Sequence, residues 1–176
     1  MELIDFYRDI EKIKHVQRKG WLKIGVSGVV DTIGGHSFGT ALIGWVAAKR
    51  EGFNQEKLIK MMLIHDLVMA HMADLTPNEK EYLNKREIEN KCFEKVSAPS
   101  SIKEEFVSLF KEFQEEKSEE ALLARECDKL ETLFQAFIYS EKLNRDELTQ
   151  FLNSYSSKIK SKVGLEILEY LKNKSF

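Results

Sequence analysis

Apolar side chains recur along this chain at three- and four-residue intervals, and no stretch alternates convincingly in strand fashion. The pattern predicts an all-α protein. Val26 to Val30 comes nearest to a strand, but it is short and broken by glycine. A first helix is predicted from Leu3 to His15, with Leu3, Phe6, Ile10 and Ile13 on one face. The connection that follows, Gln17 to Gly35, is long and holds Gly20, Gly25, Gly28, Gly34 and Gly35. Connections of this length inside a compact domain are often functional. A second helix starts near Gly35-His36-Ser37 and runs through Phe38, Leu42, Ile43, Trp45 and Val46 to about Lys49, with Trp45 expected in the core. Gly52 stops it, and Asn54 caps the third helix.

The third helix is expected to run on through a stripe of Leu58, Met61, Met62, Ile64, Leu67 and Val68 as far as Met72. Asp74-Leu75-Thr76-Pro77 ends that region, and Thr76-Pro77-Asn78-Glu79 has the spacing of a capping box. A charged helix is predicted over Asn84 to Val96, with Ile88, Cys92, Phe93 and Val96 inward. Pro99 opens the next, striped by Ile102, Phe106, Leu109, Phe110 and Phe113. After a solvated turn at Gln114 to Glu120, a long apolar helix covers Ala121 to about Glu141. One or two terminal helices fill Asp146 to Phe176. No repeat or low-complexity linker divides the chain, so residues 1–176 are expected to form one domain that includes the helices of 144–176.

Composition narrows the classes. A hydrophobic share of 43% with 32% charged residues is ordinary for a globular protein. A net charge of -2 argues against a general nucleic-acid binder. Cys92 and Cys127 are far apart, which makes a disulfide framework unexpected and points to a reducing cytosol. Met1 to Asp5 lacks the basic start of a signal peptide, and no apolar run approaches bilayer length. The expectation is a cytoplasmic protein with no membrane or nucleic-acid partner.

Within the third helix stands Ile64-His65-Asp66-Leu67, two ligand-type residues in an apolar run. A buried, unpaired carboxylate is costly, so Asp66 needs a strong partner. That partner is either a metal ion bridging His65 and Asp66, or a buried salt bridge or interhelical hydrogen bond. Adjacent helical residues point about 100° apart, so one ion takes both only at the helix edge, with flanking helices supplying the rest. His36 and Asp128, which lies beside the buried stripe of the long helix, are the candidates. Such a His2Asp2 set suits a divalent ion such as Mn, Fe, Co, Zn or Mg. Arg18, Lys19, Trp21 and Lys23 form the densest cationic and aromatic mixture in the first part of the chain.

The order His36, His65-Asp66, Asp128 resembles the HD-domain phosphohydrolases, which are named for the doublet. Arg18-Lys19-Gly20-Trp21, Asp31-Thr32-Ile33-Gly34-Gly35-His36-Ser37, Asp74-Leu75-Thr76-Pro77 and Asp128-Lys129-Leu130-Glu131 are similar to the 5′-deoxynucleotidase branch, and the likeness spans roughly residues 1–155. The resemblance implies an HD-domain helical bundle with one divalent metal held by His36, His65, Asp66 and Asp128. It implies hydrolysis of a deoxyribonucleoside 5′-monophosphate to nucleoside and phosphate. Arg18 and Trp21 would contact the nucleotide, and Asp74 would stand at the far side of the site. A homodimer is implied as well.

The chain departs from that pattern in one telling place. Family members usually carry a glutamate one helical turn after the metal-binding histidine, and here the position is Met69, which neither accepts nor donates a proton. Gly35 replaces a commonly acidic residue before the first ligand, and Ala73 a glycine before Asp74. The first reading is therefore a metal-dependent 5′-nucleotidase that uses Asp74 or His71 in acid/base work. The second is a metal-containing nucleotide-binding or regulatory protein without turnover. An HD hydrolase of another phosphoester is the third.

Overall fold

The computed structural model describes residues 2–74, 84–141, 149 and 153–174. Regular structure among them is helical, apart from one antiparallel bridge between Gln17 and Thr32. The helices are α1 (Glu2–His15), α2 (Lys19–Lys23), α3 (Ile33–Glu51), α4 (Gln55–Ile64), α5 (Lys85–Phe93), α6 (Lys103–Glu115), α7 (Glu119–Ile138) and α8 (Lys162–Lys174). Short polar side chains start several of them by accepting orphan backbone N–H groups. Thr32 accepts from Gly35, Asn54 from Lys57 and Ser118 from Ala121. Asn84 and Glu87 form a reciprocal capping box on α5.

Helix α3 is the hub, packing on α1, α4, α7 and α8. Its buried face is built from small residues, Ala41, Gly44, Ala47 and Ala48, which let neighbours come close. A methyl group at Gly44 would stand 3.3 Å from both Leu58 and Met62, so α4 seats its large side chains directly against α3. Leu58, Met61 and Met62 are fully buried there, joined by Leu109 and Phe113 of α6 and Ala124 and Cys127 of α7. Burial pushes the Cys127 thiol up to about 12, which keeps it an inert core residue.

Three expectations are corrected. The third helix is not continuous: α4 stops at Ile64, residues 65–66 form a turn, and Leu67–Asp74 winds as a 3-10 helix. Trp45 is not core. It is 51% exposed, and its indole N–H donates to Gln55 Oε1 at 2.9 Å. The small residues claim the packed face of α3, which leaves Phe38, Leu42, Trp45 and Val46 on the open face. The connection expected from Gln17 to Gly35 is shorter than that, because α3 already begins at Ile33. It holds α2 and is pinned at its base by Ile33 N donating to Val16 O at 2.8 Å and Arg18 N to Asp31 O at 3.0 Å. Gly25 and Gly28 take φ of 86° and 81° within it, a region that favours glycine. The expected capping box at Thr76-Pro77-Asn78-Glu79 lies outside the described residues. Among the described residues, no helix is long and apolar enough to cross a membrane.

Candidate metal centre

His36 and His65 meet in the interior with their ring centres 5.4 Å apart, 1% and 4% exposed. His36 comes from the first turns of α3, and His65 and Asp66 from the turn that ends α4. Asp128 comes from the middle of α7. The His36 Nε2 atom stands 3.0 Å from Asp128 Oδ1 and 3.9 Å from Asp66 Oδ2. The His65 Nε2 atom stands 3.6 Å from the same Asp66 oxygen. One donor atom each from His36, His65 and Asp66 lies within 4.8 Å of the others. The four residues that sequence nominated as ligands are thus brought together from three helices.

The chemistry of this set fits a divalent ion. His65 Nδ1 donates to the carbonyl of Met62 at 2.6 Å, which fixes the tautomer and leaves a lone pair on Nε2. That Nε2 is buried with no hydrogen-bond partner among the described residues. A buried acceptor beside two carboxylates and a second imidazole is what a cation would complete.

His36 is held on its other side by Glu131, whose carboxylate bonds Nδ1. Burial by itself would lower the His36 pKa, but the hydrogen bonds to Asp128 and Glu131 raise it to about 9. Burial likewise favours a neutral Asp128, yet the bond from His36 and the adjacent His65 hold its carboxyl below the usual carboxylate range. A metal held at Nε2 would take the place of a proton there, while Glu131 would keep the Nδ1–H oriented.

Glu131 had no role assigned from sequence, although its spacing is informative. Asp128, Glu131 and Thr132 are three and four residues apart, hence neighbours on one face of α7. Asp128 and Glu131 grip opposite nitrogens of His36, and Thr132 Oγ1 accepts from Arg18 Nη2 at 2.9 Å. Room for the Glu131 side chain comes from Gly39, where a methyl group would stand 3.2 Å from Glu131 Cγ. Asp31 is the second residue missed. Its carboxylate lies 3.4 Å from Arg18 Nη1 and fills the space a residue-35 side chain would take, 2.8 Å from an ideal Cβ at Gly35. Burial and the charge of Glu131 raise the Asp31 pKa, with Arg18 opposing them.

Arg18 is ordered by this acid cluster, with Nη1 3.2 Å from Glu131 Oε2 as well. Trp21 is 2% exposed, edge-to-face with Tyr139 at 5.3 Å and packed with Val26, Val30 and Ala136. It reaches the site by lying under the Arg18 guanidinium, 5.7 Å from its ring, and not as an open stacking face. His71 is not brought to the ligands. Its Nε2 pairs with Asp9 Oδ1 on α1 at 3.0 Å. Asp74 closes the 3-10 segment, and its side chain lies outside the described residues.

A cavity of about 490 Å³ opens beside the cluster, of which Asp66 and Asp128 reach its wall. Arg18, Asp66, Asp128, Lys129, Thr132 and Tyr155 line one part of it, and Met69, Met72, Ile88 and Glu89 the other. The 3-10 winding explains the second wall, because side chains three apart eclipse and Asp66, Met69 and Met72 fall in one row. A larger cleft of about 650 Å³ between α5 and α6 contains none of the four ligand residues. Size alone does not make it the site.

Comparison with known proteins agrees with this architecture. A family model described as HD domain matches residues 10–167, and the chain belongs to that family. A 5′-deoxynucleotidase HDDC2 from Dictyostelium discoideum is 28% identical over 169 residues, covering 88% of each chain. The 5′-deoxynucleotidase hdd1 of Schizosaccharomyces pombe is 26% identical, covering 86% of this chain and 79% of its own. The crystal structure of PH0347 protein from Pyrococcus horikoshii OT3 superposes with a TM-score of 0.76 at 31% identity, covering 97% of this chain and 98% of that one.

The Glu131 contact yields a measurable expectation. Glu131→Gln removes the charge that orients and polarises His36, so divalent-metal affinity should fall about 10- to 100-fold. Competition titration against a chelating dye measures it, and unchanged affinity would remove Glu131 from the centre.

Proposed function

We propose that this protein is a metal-dependent phosphomonoesterase that hydrolyses deoxyribonucleoside 5′-monophosphates to nucleoside and inorganic phosphate. The observation that carries the reading is the convergence of His36, His65, Asp66 and Asp128 next to a cavity that Asp66, Asp128 and Arg18 line. A divalent ion held by those four residues would neutralise phosphate charge and make water a better nucleophile. Mn, Co, Fe, Zn and Mg all accept a mixed imidazole and carboxylate set.

Arg18 supplies the anion end. Its guanidinium is preorganised by Asp31, Glu131 and Thr132, and its remaining donors meet a phosphate in the fork geometry that lysine lacks. Trp21 holds that fork from beneath, and Asp74 is assigned to the far side of the site. Lys129 and Tyr155 leave a mixed polar and aromatic wall for the nucleoside. The names of the 5′-deoxynucleotidase relatives support this substrate class. The reading takes the chain as one cytoplasmic domain.

Met69 in the cavity wall favours a second reading, a metal-containing nucleotide-binding protein without turnover. Phosphate release from a panel of nucleoside monophosphates with Mn, Co or Mg separates the two. Release well above an Asp66→Ala background is expected. Tight binding with no release under any of the metals would replace the first reading with the second.

The assembly proposed is a homodimer. Phe38, Leu42, Trp45 and Val46 lie on one face of α3 at 63%, 47%, 51% and 56% exposure, an apolar stripe that a second copy would cover. Light scattering should give twice the chain mass for the wild type and the monomer mass for Leu42→Glu/Trp45→Glu. A dimer that survives the double substitution would move the interface elsewhere.

A further inference from the structure

We infer that Glu89 is the proton-handling carboxylate of this cavity, serving the hydrolysis from a helix that contributes no metal ligand. The inference rests on the phosphomonoesterase reading above. It starts from what the cavity walls are able to do. Asp66 and Asp128 are committed to the cluster with His36 and His65, and Arg18 and Lys129 are cations. Thr132 already bonds Arg18 and the Asp128 carbonyl. Met69, Met72 and Ile88 carry no titratable group. Glu89 is the cavity's remaining carboxylate among the described residues.

The fold gives Glu89 a reason to point there. Helix α5 packs on the 3-10 segment through Ile88 and Cys92, with Cys92 Sγ 3.7 Å from Met72 Sδ and Val68 and Phe110 beneath. Glu89 follows Ile88 by one residue and precedes Cys92 by three, so it stands at the edge of that packed face, on the cavity side. Gln114 of α6 donates to its Oε2 at 3.3 Å, which steadies the carboxylate from behind. Phe93 of α5 stacks on Phe110 with ring centres 3.9 Å apart and fixes α5 against α6. Glu89 therefore shares the lining of one cavity with Asp66 and with Asp128, Lys129 and Thr132 of α7.

In the proposed step a water oxygen bonds to phosphorus as the P–O5′ ester bond breaks. Glu89 accepts one proton from that water and releases it to solvent, and solvent protonates the departing 5′-oxygen on the opposite side of phosphorus. The products are the nucleoside hydroxyl and hydrogen phosphate, and Glu89 returns to its starting charge. Arg18 holds the phosphate while the proton moves.

The test compares wild type and Glu89→Gln with the panel monophosphate that the wild type turns over fastest. Turnover should fall about 10²- to 10⁴-fold, with KM within about threefold. The acidic limb of the pH–rate profile should disappear, while bound metal and the thermal melting curve match the wild type. A variant with near-wild-type turnover, or one that keeps the acidic limb, overturns the assignment to Glu89 and leaves the enzyme reading standing. A rate loss that tracks lost metal or a lowered melting temperature makes Glu89 a packing residue and overturns it too. Absence of turnover in the wild type itself removes both.

Discussion

The grip of two α7 carboxylates on one buried imidazole is the constraint on which the site depends. His36 is deep in the bundle, and in water its ring would be free to turn. Here Glu131 takes Nδ1 and Asp128 takes Nε2, so the plane and direction of the ring are set by one face of one helix. The same Glu131 reaches Arg18, and Arg18 reaches Asp31 and Thr132. The histidine that would bind the metal and the arginine that would bind the phosphate are thus tied through one carboxylate. Displacing α7 by a single residue would rotate all three contacts away together.

The second structural element of the site is a failure of helix. Had α4 run on through residues 65–72, its 100° step would have spread Asp66, Met69 and Met72 around the helix edge. The turn at 65–66 and the 3-10 winding that follows put them in one row instead and give the cavity its apolar wall. The same winding delivers His71 to Asp9 on α1. There it stitches the 3-10 segment to the first helix, and Asp9 also accepts from Ser97 N at 3.0 Å. His71 is in this way engaged with α1, and it is not among the residues that line the cavity.

Much of this was legible in the sequence. Helical periodicity gave the all-α class, and Asn54 and Asn84 mark helix starts by local chemistry, whereas Ser118, read within a solvated turn, caps α7 two residues ahead of the expected start. The four candidate ligands stood out because buried polar residues within apolar stripes demand partners, and because their order resembles a known family. Other features depended on contacts that the chain's order does not express. Trp45 looked like core from its stripe, and only the small-residue packing of α3 turned it outward. Asp31 and Glu131 read as ordinary acids until Gly35 and Gly39 were seen to leave space for them. The break at 65–66 left no glycine or proline to mark it. Trp21 joins the site through Arg18, a vertical contact that spacing in the sequence does not distinguish from a stacking face.

His65 Nε2, buried without a hydrogen-bond partner among the described residues, and its three neighbours His36, Asp66 and Asp128 have the chemistry to hold a divalent ion. Metal analysis of wild type and Asp66→Ala, purified side by side, tests it most directly. About one divalent ion per chain is expected in the wild type, with loss of most of it in the variant. Equal metal content in the two proteins would contradict it.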